Sequence, residues 1–193
     1  MNRVRKFKEE ITAFFRELYV GEEKRLVFGD GDEQARIVMI GEAPGEQETI
    51  QGRPFVGKAG KNLDEFLRLS GMDRRALYIT NTVKFRPTRI SKAGRVVNRP
   101  PTQEEVKLSV PWLKREIKMI APEVIVTLGN VPLKALLGKE KTIGECHGQW
   151  LEWEKLRVYP LYHPASIIYN PSLREVYEAD VVRLGKEMRK ERD

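Results

Sequence analysis

The chain has 193 residues, 40% hydrophobic and 33% charged, long enough for one domain with a real core and ordinary for a soluble protein. Its single cysteine, Cys146, excludes an intramolecular disulfide and a Cys-rich metal site; no apolar run approaches the ~20 residues that span a bilayer, and the charged N-terminus lacks the apolar stretch of a secretory signal, so the chain reads as cytoplasmic. A net charge of +7, from 35 Lys and Arg against 28 Asp and Glu, suits an acidic partner such as nucleic acid, or simply a well-solvated surface, and the wealth of Lys, Arg and Glu matches thermophile ion-pair networks.

Phe7, Ile11, Phe14, Phe15 and Leu18 recur at helical spacing and predict an amphipathic helix over residues 4–19. A loop follows, closing in the turn formers Gly29-Asp30-Gly31-Asp32. Ile37-Val38-Met39-Ile40 is continuously apolar rather than alternating, the pattern of a strand buried on both faces of a parallel sheet. After a long loop, Leu63, Phe66, Leu67 and Leu69 mark a helix over 59–70 that Gly71 stops. Strands are predicted at 77–83, 124–128 and 157–162, with a small extra one at 149–153. The segment from Lys84 to Pro101 reads as a basic loop. Thr102-Gln103-Glu104-Glu105 is a capping box opening a helix to Ile120, Val131 to Leu137 is a short helix stopped by Gly138, and Ser172 is predicted to cap the last helix. Strands and helices alternate, so the expected fold is α/β: a three-layer α/β/α sandwich on a central, mainly parallel four-stranded sheet, as one domain over 1–193.

Loops at the carboxyl ends of neighbouring parallel strands open onto one crevice. Two loops stand out there. Gly41-Glu42-Ala43-Pro44-Gly45 follows the first strong strand and is forced into a tight turn, where backbone can approach a ligand. It carries neither a Gly-x-Gly-x-x-Gly nor a P-loop pattern. His163 directly follows the last strand, where an imidazole can hydrogen-bond an anionic leaving group or, equally, serve structure. Phe55, in the loop Gly52 to Gly57, is an aromatic able to stack on a flat ligand or to tuck into the core. Asn81 ends the second main strand and offers a donor and an acceptor together, enough to read a pyrimidine edge or to bond a nearby turn.

Taken together, Gly41-Glu42-Ala43-Pro44-Gly45-Glu46-Gln47-Glu48, Gly52-Arg53-Pro54-Phe55-Val56-Gly57-Lys58-Ala59-Gly60, Asn81-Thr82-Val83-Lys84, Arg99-Pro100-Pro101-Thr102, Pro122 to Gly129 and His163-Pro164-Ala165-Ser166 resemble the uracil-DNA glycosylase superfamily, most closely its fourth family, the thermostable iron–sulfur type. The resemblance implies an enzyme that flips uracil out of DNA and hydrolyses its N-glycosidic bond. Catalysis would fall to Glu42, His163, Asn81 and Glu48, and substrate binding to Gly41, Ala43, Gly45, Phe55 and Asn81. Phe55 would stack on the ring, Asn81 would read its polar edge and His163 would stabilise charge on O2. Glu42 and its turn would place the attacking water, with Glu48 orienting that water or holding the loop. DNA would be held by Lys84, Arg86, Arg89, Lys92 and Arg95, with Ser166, Ile167, Ile168 and Tyr169 at the minor groove as a wedge. The other readings are a glycosylase for hypoxanthine or xanthine and a catalytically silent DNA-binding paralogue.

Two departures from the family are visible. The family's four cluster cysteines are absent: residues 18–24 contain none, and Phe85 and Ser109 stand at the other two positions, so no iron–sulfur cluster, no metal and no cofactor is expected, with hydrophobic packing in its place. Ala43 replaces the acidic residue of other branches, favouring a dissociative reaction with weak base assistance. Finally, Ile11, Phe14 and Phe15 resemble the apolar part of a sliding-clamp-binding motif, although the same residues serve equally as the buried stripe of a core helix. A monomer is expected.

Overall fold

The computed structural model describes residues 3–190; the charged tail beyond them lies outside the described residues. In chain order the elements are α1 (Arg3–Leu18), β1 (Asp30–Gly31), β2 (Ile37–Gly41), α2 (Glu46–Gln51), α3 (Lys58–Ser70), β3 (Tyr78–Asn81), β4 (Thr88–Ile90), β5 (Val96–Asn98), α4 (Gln103–Ile120), β6 (Val124–Leu128), α5 (Asn130–Leu137), α6 (Ile143–Cys146), β7 (Leu151–Trp153), β8 (Leu156–Leu161), α7 (Ser166–Tyr169) and α8 (Arg174–Lys190).

The main sheet runs β1-β3-β2-β6-β8-β7. Its four central strands are parallel, with Val38 opposite Tyr78 and Ile125, and Ile125 opposite Val158. Side chains alternate across it. Ile37 and Met39 face Phe66, Leu67, Tyr177 and Leu184 of α3 and α8, while Val38 and Ile40 face Leu113, Ile117 and Leu136 of α4 and α5. Both faces are covered, which is why β2 is apolar without interruption from Ile37 to Ile40 and β6 is apolar but for the buried Thr127. The α/β/α expectation holds.

The sheet has six strands rather than four. The two additions, β1 and β7, are short antiparallel edges, and β7 is the small extra strand expected near Trp153. The loop before Lys58 contains α2, and the basic segment after Lys84 folds back as the separate hairpin β4–β5. The last helix starts at Arg174, after a 3₁₀ turn that Asn170, not Ser172, caps: Asn170 Oδ1 accepts from the Ser172 amide at 3.3 Å and from the Ser172 hydroxyl at 2.6 Å. The capping box of α4 forms as read, with the Thr102 hydroxyl accepting from the Glu105 amide at 3.1 Å and the Glu105 carboxylate from the Thr102 amide at 2.7 Å. Arg99 doubles it with two 2.7 Å bonds to the same carboxylate.

The helix α1 lies along α4. Its Phe7, Ile11 and Phe15 are buried with Val83 and Phe85, and Phe14, Tyr19 and Trp112 close the cluster. Phe15 and Tyr19 each sit 5.5 Å from the Phe85 ring, and the Lys24 ammonium lies over both Tyr19 and Phe85. Ile11 and Phe15 are 0% and 1% exposed and Phe14 is half-buried, so two of the three residues expected to anchor in a clamp groove are already inside the protein.

Candidate active site

The strand order reverses between β2 and β6, the place where open α/β sheets bind ligands beyond their carboxyl ends. Residues from all four parallel strands meet there: Gly41 ends β2, Asn81 ends β3, Gly129 follows β6 and His163 follows β8. Phe55 enters from the loop between α2 and α3.

Gly41, Phe55 and Asn81 form one wall. A methyl group placed on Gly41 would lie 2.4 Å from the Asn81 Oδ1 and 2.5 Å from the Phe55 ring, so only glycine fits. Phe55 holds a left-handed backbone (φ 53°), costly for a bulky residue, and it persists because its surroundings over-determine it. A methyl on Gly60 would come within 1.9 Å of the Phe55 carbonyl oxygen, so α3 abuts that backbone directly. Arg74 donates to the carbonyls of Pro54 (2.9 Å) and Phe55 (3.2 Å) and is itself braced by Asp64 at 2.6 Å. The ring thus stands 5.8 Å, centroid to centroid, from the His163 imidazole.

Glu48 binds the two loops together. From the first turn of α2 its carboxylate accepts from the amide of Gly45 (3.2 Å) and from those of Val56 (3.1 Å) and Gly57 (2.7 Å) just before α3. With its oxygens so engaged, Glu48 holds the loops. Glu42 differs: among the described residues no hydrogen bond to its carboxylate is formed, and burial pushes its pKa above the usual carboxylate value. Its backbone is fixed by Val83, whose amide donates to the Glu42 carbonyl at 3.0 Å. Ala43 packs its methyl against the Phe85 cluster, leaving backbone alone to face a ligand.

His163 Nδ1 accepts from the Ala165 amide at 3.1 Å, which places the proton of the neutral ring on Nε2. Desolvation lowers its pKa to about 4, against a weaker opposing pull from Glu48. A neutral imidazole presenting one N–H is therefore the resident form near pH 7. Its loop is held by the Ser166 amide on the His163 carbonyl (2.8 Å) and by Asn62 on the Pro164 carbonyl (3.0 Å). Gly129, at φ 90°, passes so close that a methyl there would sit 3.2 Å from the His163 Cβ.

Three of the expected DNA contacts stand differently. Lys84 is wholly buried and paired with Glu116 at 2.5 Å, so no phosphate can reach it. Ile167 is 5% exposed and belongs to the core, because the single turn of α7 points it inward and leaves Ile168 and Tyr169 outside at 47% and 86%. Arg86 is largely covered, bonding Asn98 at 2.6 Å and Glu46 at 3.3 Å, and so ties the hairpin to α2. Arg89, Lys92 and Arg95 are exposed on the hairpin and Ser166 is half-buried beside His163.

The residues at the expected cluster positions do not fit a four-thiolate iron–sulfur group. Phe85 is a packed aromatic, the buried Ser109 hydroxyl donates to the Glu105 carbonyl at 2.7 Å, and Cys146 is buried elsewhere, beside Leu133 and Ile143. Among the described residues no group of three His, Cys, Asp or Glu side chains could hold a metal ion, and no helix is long and apolar enough to cross a membrane.

Sequence reasoning missed Gly60, Arg74, Asn62 and Gly129 as supports of Phe55 and His163. The two glycines lay within or beside matching stretches without a role, and Arg74 and Asn62 act across distances in sequence that spacing does not reveal.

Residues 28–184 match the model of the uracil DNA glycosylase superfamily. The chain is 41% identical to a type-4 uracil-DNA glycosylase of Archaeoglobus fulgidus over 82% of this chain and 79% of that protein. It is 40% identical to one of Saccharolobus solfataricus (81% and 73% covered) and 39% identical to one of Thermotoga maritima (86% and 84% covered). With the site at the switch point of its sheet and these relatives aligned along most of its length, the chain belongs to the uracil-DNA glycosylase superfamily.

Proposed function

We propose that the protein is a monofunctional DNA-repair glycosylase that removes uracil from DNA and leaves an abasic site, the first step of base excision repair. The observation that carries this is the meeting of three unlike groups at one slot: a flat aromatic (Phe55), an amide (Asn81) and a neutral imidazole with its N–H on Nε2 (His163). Uracil needs this set. Its ring stacks on Phe55, its N3–H and O4 edge pairs with the Asn81 amide, and its O2 accepts from His163 Nε2. As the C1′–N1 bond breaks, the bonding electrons pass to uracil, and a donor held at O2 stabilises that charge. Water then adds to C1′, and its proton passes to Glu42, the one carboxylate of the site free of protein partners. Glu48 keeps the two loops in register. No amine nucleophile is placed here, so no lyase step follows.

Flipping is cheapest for a mispaired base, so uracil opposite guanine is the preferred substrate. The hairpin offers Arg89, Lys92 and Arg95 to phosphates, contacts that weaken as salt rises. Tyr169 and Ile168, beside the His163 loop, supply the apolar wedge for the stack. One chain carries every residue of the site, so a monomer suffices for the reaction, which takes place inside the cell where its DNA lies.

A labelled duplex with one uracil opposite guanine, treated with protein and then alkali, should be cut at the uracil. Cleavage at hypoxanthine or xanthine instead would identify another deaminated base, and salt-sensitive binding without cleavage a silent paralogue. Asn81→Ala should lose about 10- to 100-fold in excision, the size of one or two lost hydrogen bonds to a buried edge, with an unchanged melting temperature. A wild-type rate would remove Asn81 from base recognition. Preparations should contain no stoichiometric iron and show no visible cluster band, because Phe85 fills the space; either signal would overturn the packing argument.

A further inference from the structure

Behind the slot lies a fully buried polar assembly that the reaction above does not use. The Lys84 ammonium donates three hydrogen bonds: to the Thr80 hydroxyl at 2.7 Å, the Asn81 carbonyl at 2.6 Å and the Glu116 carboxylate at 2.5 Å. Glu116, on α4, also accepts from Thr80 and from the Tyr78 hydroxyl, both at 3.0 Å. Lys84 and Glu116 are 0% and 1% exposed. Every ammonium proton has an acceptor, and each carboxylate oxygen has a donor.

Such a pair is a poor device for stability alone, since well-packed apolar residues of similar volume serve a core as well or better. Its geometry suggests another use. The strand β3 ends at Asn81, whose side chain forms the slot wall against Gly41. Lys84 lies three residues on and turns back to grip the carbonyl of that same residue, while Glu116 locks the ammonium to α4 on the far face of the sheet. An aliphatic side chain could fill the space but could not fix the peptide plane of Asn81.

We propose that Lys84 and Glu116, linked through Thr80, are positioning residues for uracil recognition: they set the Asn81 backbone, and through it the direction of the Asn81 amide. The inference rests on the glycosylase reading and gives an otherwise unused buried ion pair a place in its specificity. The amide must hold its donor and acceptor against one base edge, and a misplacement of about 1 Å from afar can cost about 100-fold in rate.

The test is a double-mutant cycle on single-turnover uracil excision. The Lys84→Met/Glu116→Gln protein, which removes both charges together, should excise about tenfold more slowly than wild type and bind a duplex containing a tetrahydrofuran abasic analogue, which has no base, with unchanged affinity. Combined with Asn81→Ala, the same pair of changes should cost less than about twofold further, because residues that act through one another are not additive. Losses that multiply, or a wild-type rate in the Lys84→Met/Glu116→Gln protein, would overturn the proposal. Thr80→Val, a smaller change in the same assembly, runs through the same cycle should the charge-free protein not fold, with the same two outcomes deciding. Failure of wild-type protein to release uracil in this assay would instead sink the glycosylase reading itself.

Discussion

Replacing His163 by alanine should lower single-turnover uracil excision by about 10²- to 10³-fold, the usual cost of one donor aimed at developing negative charge. Affinity for an abasic duplex should hold, because the contact matters only while uracil leaves. His163→Gln, which can still offer an N–H, should recover part of the loss. An alanine variant within a few fold of wild type would show that charge on the base is carried elsewhere. The pH behaviour separates this group from an ordinary histidine. With its pKa at about 4, His163 stays neutral through pH 6.5, so excision should show no inflection there. Its burial leaves a mark on stability instead. The unfolded chain takes up a proton at the normal histidine pKa and the folded protein only near 4, so stability present above about pH 6.5 is lost as pH falls towards 4. The full difference is about 3 kcal/mol, and melting curves of His163→Ala should lack it. An acid limb of the rate is expected from Glu42, whose burial raises its pKa above the usual carboxylate value, and Glu42→Gln should abolish that limb.

Gly41→Ala is expected to cost about 100-fold or more in excision while removing only about 1–3 kcal/mol of stability. The added methyl has two neighbours within 2.5 Å, the Asn81 Oδ1 and the Phe55 ring. Both belong to buried side chains and neither can swing away: Phe55 is pinned by Gly60 and Arg74, and Asn81 by the end of β3. The wall must spread, and the ring and amide lose their common geometry. Binding to an abasic duplex serves as the control and should change little. A variant with near-normal excision would mean that base recognition does not use this wall.

Much of this arrangement was legible in the sequence. The continuous apolar run at 37–40 marked a buried parallel strand because both faces of β2 are covered. The turn after Ile40 and the histidine after β8 then fell on one crevice by topology alone. What escaped has definite causes. The edge β1 is two residues long, too short to leave a period. Lys84 looked like the first residue of a basic loop. Its burial depends on a carboxylate 32 positions away on α4. Ile167 and Ile168 are neighbours of the same type, and only the turn of α7 decides that one enters the core and the other faces solvent. Gly60 and Arg74 support Phe55 through backbone approach and carbonyl capture, which leave no pattern in the spacing of residues.

The aromatic cluster around Phe85 has a consequence for the conditions in which the protein can work. Thiolate-held iron is dismantled by peroxide and stripped by chelators, and a domain stapled by it must be supplied with the metal while folding. The rings of Phe15, Tyr19, Phe85 and Trp112 are held by one another and by the Lys24 ammonium, with no thiolate among them, so the cohesion of this corner does not depend on a supply of iron. Iron starvation, which empties iron–sulfur enzymes, would leave it standing.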